Sequence, residues 1–118
     1  MRIAGKSHTV PMVMDRRQFY QYVKRAESAD QDVSFTLQIN PPQEGTPDGQ
    51  HDLEQWFFVH AGTVRFVVDG EEVVAGPGDL VYVPRNGVHR HEELGDEPVE
   101  LLVINHWPAD SEDQLGWE

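Results

Sequence analysis

Alternation of apolar and polar positions dominates this chain, and it predicts short strands joined by tight turns. Val33, Phe35, Leu37 and Ile39 share one face of a segment whose other face carries Ser34, Thr36 and Gln38, the pattern of a half-buried strand. From His51 onward the pleat puts His51, Leu53, Gln55, Phe57 and Val59 on one side. The opposite side starts with Asp52 and Glu54 but continues through Trp56, Phe58 and His60. A strand that is apolar on both faces needs cover on each, so the N-terminal arm or a second subunit is expected there. Asp69-Gly70, between Thr63–Val68 and Glu71–Ala75, predicts a two-residue hairpin because both positions tolerate positive φ. Gly76-Pro77-Gly78-Asp79 turns the chain into Leu80–Val83, and the turn at Pro84–Gly87 leads into a strand over His89–Glu93. Gly95-Asp96-Glu97-Pro98 then leads into a very apolar strand, Val99–Asn105.

The N-terminal third reads differently. Val10, Met12 and Met14 alternate as an edge strand would, and Asp15 with Gln18 carries the signature of a capped helix start. Phe19, Tyr22, Val23 and Ala26 follow at helical spacing, which predicts one short helix with a single packed stripe. Asn40–Gly49 is a turn-rich loop, with Pro41, Pro42 and Pro47 excluding a helix or a central strand. His106–Glu118 is an acidic tail carrying Trp107 and Trp117. The expectation is a single all-β domain, an antiparallel sandwich or barrel of roughly eight strands. An arm and helix span residues 1–32, the barrel 33–107 and the tail 108–118.

Composition narrows the function classes. At 118 residues and 38% hydrophobic, the chain supports one core and not two. With 21 acidic against 9 basic residues, the formal charge of −12 repels nucleic acid and anionic membranes, so neither is an expected partner. Cysteine is absent, which removes disulfides, thiolate metal sites and cysteine nucleophiles. No run approaches the roughly 18 apolar residues of a membrane span, and His8 and Pro11 interrupt any leader-like segment. A cytoplasmic location is the default expectation. No Gly-rich phosphate loop and no G-x-S-x-G element occurs.

The stretch from Gly45 to Glu93 holds four of the six histidines, and its motifs resemble the cupin superfamily. That family's second motif is G-x5-P-x-G-x2-H-x3-N. Here Gly78, Pro84 and His89 match it, Gly87 is displaced by one, and Glu93 stands where Asn is usual. Its first motif is G-x5-H-x-H-x3-E-x6-G. Counted back from Gly62, Gln55 takes the place of the metal-binding Glu, His51 that of the second His, and Gly49 that of the first. The resemblance covers about 70 residues. It implies a jelly-roll barrel with a divalent transition metal (Fe, Zn, Cu, Ni or Mn) held by His51 and His89, with Gln55 at the carboxylate position.

His91, two residues beyond His89 and on the same face, is the candidate to replace the missing histidine. A nearly neutral ligand set leaves positive charge on the metal, which suits an anionic or bidentate small molecule. The alternative is that His51 and His89 are remnants of a lost site, bonded to each other, to Gln55 or to water. Phe35, Leu37, Phe57, Val59 and Phe66 are expected to line an apolar pocket, with Tyr82 and Glu93 as proton-transfer candidates. Glu54 and His60 fall on the opposite face. The resemblance implies oxygenase-type chemistry. A metal-dependent isomerase or lyase, and a non-catalytic binding or sensor barrel, are the alternatives, and a homodimer is expected.

Overall fold

The computed structural model describes residues 1–113 and 115. Nine strands follow in order: β1 (Met12–Met14), β2 (Arg17–Val23), β3 (Val33–Asn40), β4 (Glu54–Ala61), β5 (Thr63–Val68), β6 (Glu71–Ala75), β7 (Leu80–Val83), β8 (His89–Leu94) and β9 (Val99–His106). They form a six-stranded sheet, β1-β2-β3-β9-β4-β7, facing a three-stranded sheet, β6-β5-β8, with every pairing antiparallel. Phe57, Val59, Val64, Phe66, Val81, Val83, Val99, Leu101 and Val103 fill the space between the sheets as one core. No helix among the described residues is long and apolar enough to cross a membrane.

The turns from Asp69 to Pro98 are where the sequence pattern predicts them. Asp69 and Gly70 have φ of 48° and 84°, the left-handed pair that lets a two-residue hairpin follow the strand twist. Gly62, between β4 and β5, has φ of 84°, and a Cβ there would stand 2.9 Å from the Pro98 carbonyl oxygen. Only glycine fits that crossing.

The expected helix after Asp15 is a strand. Asp15 and Arg16 have φ of 50° and 63°, so they form the centre of a second tight hairpin that pairs Met14 with Arg17. Asp15 is a turn residue, not a helix cap, and the following Phe, Tyr, Tyr and Val suit a pleated surface better than a helix. Phe19 points inward and is buried, and helical geometry among the described residues is confined to one 3-10 turn at Arg25–Glu27. β1 is an edge strand, as its alternation suggested.

The second difference concerns β3, whose polar row faces inward. Ser34, Thr36, Gln38 and Asn40 are all buried, whereas Val33, Phe35 and Ile39 are half-buried on the outer side. Leu37 lies on that outer side too, beside Tyr22, Phe58 and Leu102. Period-2 alternation separates the two rows but does not decide which one meets the interior. The decision comes from partners: Ser34 lies opposite Asn105, and Gln38 hydrogen-bonds Asn40, so the inward amides and hydroxyls satisfy one another.

Candidate functional site

A cavity of about 320 Å³ opens at one end of the barrel, with His51, Gln55, Phe57, His89, His91 and Gln38 on its wall. Two segments bring the histidines together. β8 places His89 and His91 on its inward face, 8% and 7% exposed. The loop after β3 then folds back along β8: Gly49 and His89 exchange backbone hydrogen bonds of 2.7 and 2.9 Å, and the Thr46 amide donates to the His91 carbonyl. That backbone pairing carries His51 beside His89, ring centroids 5.7 Å apart. His51 itself precedes β4, which starts at Glu54, so it reaches the cavity from a loop and not from the pleat of a strand.

Each ring is held by its Nδ1 side. His89 Nδ1 lies 3.1 Å from the Gly87 carbonyl oxygen, which assigns the proton to Nδ1 and leaves Nε2 as the free lone pair. Burial is the main influence lowering the His89 pKa. The Gly87 carbonyl opposes it, and the neighbouring His51 and His91 add to the lowering. The imidazole is therefore held neutral at pH 7, the form that binds a cation. His51 Nδ1 lies 3.6 Å from Asp113 Oδ2, and that carboxylate also accepts the Asp52 amide at 2.7 Å. The tail is tied down at this point, since Trp107 donates its indole N–H to the Asp113 carbonyl and is itself 1% exposed. Trp117 lies outside the described residues.

His91 is turned toward Glu93: its Nδ1 is 2.6 Å from Glu93 Oε1, a close contact without hydrogen-bond alignment. Glu93, fully buried, also accepts a 2.9 Å hydrogen bond from Asn40, which in turn accepts one of 3.0 Å from Gln38. A second chain runs from Gln55 to Asn105 at 2.8 Å and on to Ser34 at 3.1 Å. Gln55 donates its NH₂ to Asn105, and its buried Oε1 has no partner.

Among the described residues, no three His, Asp or Glu side chains converge as a metal-binding group. Two imidazoles, His51 and His89, line the cavity, and Gln55 stands on its wall with its amide oxygen buried and unpartnered. A Cβ built on Gly49 would lie 3.8 Å from His51 Nε2 and 3.9 Å from His89 Cε1, so that position faces the same space and contributes no donor. Neutral nitrogen and amide-oxygen donors are of the kind that suits a borderline transition metal, and these residues would supply at most three of them.

Several expected site residues lie elsewhere. Tyr82 points outward, 46% exposed, and donates to Glu54 Oε2 at 2.5 Å on the outer face. It takes that direction because its β7 neighbours Val81 and Val83 fill the interior, which leaves the alternate position outside. Phe35 and Leu37 are on the outer side of β3 for the reason given above. Val59 and Phe66 sit deeper in the core; of the five apolar residues expected to line a pocket, only Phe57 is on the cavity wall. Conversely, Gln38, Asn40, Ser34 and Asn105 were not anticipated. Their signal was a strand face of Ser, Thr and Gln without a single charge, which is unusual for a face turned to water. Tyr82→Phe is expected to leave metal and ligand affinity within about twofold of wild type and to change stability by under about 1 kcal/mol. Isothermal titration and thermal unfolding would check both.

Antiparallel strands in two facing sheets, with a histidine-bearing cavity at one end, define a small jelly-roll barrel. The Cupin domain model matches residues 36–105, more than half of the chain, and the protein belongs to that family. The sequence is 31% identical over 65 residues to the mannose-1-phosphate guanylyltransferase ManC of Salmonella typhimurium, a match covering 55% of this chain but 13% of that protein. Over 60 residues it is 27% identical to an uncharacterized Methanocaldococcus jannaschii protein, covering 51% of this chain and 48% of the other. The chain therefore spans less than half the length of either relative. Among solved structures, a predicted oxalate decarboxylase from Thermotoga maritima superposes with a TM-score of 0.83 at 15% identity, covering 91% of this chain and all of the other. At such identity the likeness shows the fold.

Proposed function

We propose that this chain binds a small molecule in the barrel cavity, at a divalent transition metal held by His51, His89 and the Oε1 of Gln55. The observation that carries the reading is the pair of adjacent imidazoles in one cavity, one of them held neutral by burial, with Gln55 on the same wall and its buried oxygen unpartnered. A buried acceptor without a partner costs about 1–3 kcal/mol, a cost that a bound cation or donor would offset. When bound, such a metal supplies Lewis-acid polarisation of a substrate oxygen and, if redox-active, access to dioxygen chemistry. The chain's own residues do the rest. Gly87 and Asp113 orient His89 and His51, Asn105 aims the Gln55 oxygen, and Phe57 excludes water from one wall.

Oxygenase-type chemistry on an oxygen-bearing, anionic or bidentate substrate is the enzymatic form of this proposal, and isomerase or lyase chemistry shares its geometry. Glycine at position 49 favours a second reading, a binding barrel without turnover; a ligand that raises Tm and is recovered unchanged would support it. A homodimer fits the outer face, where Leu80 and Tyr82 are exposed beside half-buried Trp56 and Phe58. Titration with cobalt(II) tests the metal. Wild type is expected to develop saturable d–d absorption that is lost in His89→Ala, whereas absorption no stronger than in that variant would refute it.

A further inference from the structure

The polarity of the Gln38–Asn40–Glu93 chain follows from its buried end. A carboxylate only accepts hydrogen bonds, so Asn40 must turn its NH₂ to Glu93 at 2.9 Å and its carbonyl oxygen to Gln38. Gln38 must then donate its own NH₂ to Asn40, at 3.0 Å, which leaves the Gln38 carbonyl oxygen as the free end of a side chain on the cavity wall. Gln55 reaches the same state independently, its NH₂ donated to Asn105 and its Oε1 without a partner. Of the two amides, Gln38 has its direction imposed by a buried carboxylate, whereas the Gln55 chain ends on the Ser34 hydroxyl, which can donate or accept.

We infer that Gln38 is a specificity-determining residue that accepts a hydrogen bond from a hydroxyl-bearing ligand, with Glu93 as the positioning residue that sets its polarity. The inference rests on the proposed cavity reading for the ligand's location and adds the ligand's class: a small molecule that bears a hydroxyl donor away from its metal-binding end. The Gln55 oxygen takes the metal, so Gln38 meets the part of the ligand away from it. A second acceptor facing Gln38, such as a carboxylate, would leave both lone pairs desolvated and opposed, and the overall charge of −12 disfavours excess negative charge as well.

The test compares xylonate with pentanoate, five-carbon ligands that each carry one carboxylate, of which only xylonate has hydroxyls. Affinities are measured by titration calorimetry on the full chain as purified. Wild type is expected to prefer xylonate by about tenfold or more, the worth of one or two well-made hydrogen bonds to a buried partner. Gln38→Met should remove most of that preference by weakening xylonate alone, with metal content unchanged and Tm lowered, because the buried Asn40 oxygen loses its Gln38 donor. Glu93→Gln should reduce the preference without removing binding, because an amide at 93 offers either end and no longer imposes a direction on Asn40 and Gln38. A merely structural Glu93 would lower both affinities together. Equal wild-type affinities, no saturable xylonate binding at millimolar concentration, or an unaltered preference in Gln38→Met would overturn the inference. Each would leave the metal reading standing if cobalt absorption persists. Should Glu93→Gln not fold, Gln38→Met alone decides.

Discussion

Replacing Trp107 with alanine is expected to lower stability by about 3–5 kcal/mol, a fall in Tm on the order of 10–20 °C for a domain of this size. The indole is 1% exposed, and its backbone amide bonds the Asp32 carbonyl at 2.7 Å. The Arg25 guanidinium covers its ring at 4.5 Å from the centroid. Its removal leaves a large void where the chain crosses from β9 to the tail. The same residue reaches the site, because its Nε1 anchors the Asp113 carbonyl and Asp113 lies against His51. Trp107→Ala should therefore also weaken metal or ligand binding. Trp107→Phe, which keeps most of the volume but loses the donor, should recover most of the stability and less of the binding. Thermal unfolding and calorimetric titration of the two variants separate these effects.

Phe66→Ala is the second large change, at about 3–5 kcal/mol. Phe66 is 0% exposed and makes tilted ring contacts with Phe57 at 5.2 Å and with His91 at 5.6 Å. It is the support beneath the cavity floor, and its truncation lets both neighbours settle into the space it leaves. Phe66→Leu is expected to cost less than about 1.5 kcal/mol and to preserve ligand affinity. A large loss of affinity in the alanine variant at a temperature where it remains folded would show that the core holds the site in shape.

The strands from β4 to β9 were legible because turn chemistry and period-2 alternation agree there. Asp69-Gly70 can only serve as a hairpin centre, and the row Gln55, Phe57, Val59 meets the interior as its spacing predicts. From Asp15 through β2 neither signal was decisive. Asp15 followed by polar residues reads equally as a helix cap or as a left-handed turn, and the aromatic positions after it fit both periods. The orientation of β3 was illegible for a different reason. Its apolar row looked like the core row, but the interior at that level is a set of mutually bonded amides, and their partners Asn105 and Glu93 come from strands more than 50 residues away. No local pattern contains that information. Tyr82, a proton-transfer candidate on its chemistry, lies outside because Val81 and Val83 on either side of it meet the interior.

The two imidazoles and the glutamine were legible as a spacing, and the fold brings them to one cavity. The residue that sets their surroundings, Glu93, stood in the sequence as a departure from the family's asparagine and as a proton-transfer candidate, not as the end of an amide chain. Buried beside His91 and Asn40, it is the acceptor on which one side of the cavity is organised.

Elemental analysis of protein purified without an affinity tag or chelator tests the central claim most directly. Stoichiometric divalent transition metal in the wild type, retained in His60→Ala on the exposed outer face and lost in His51→Ala and His89→Ala, is the predicted result. Negligible metal in the wild type, or the same content in all four proteins, would contradict it.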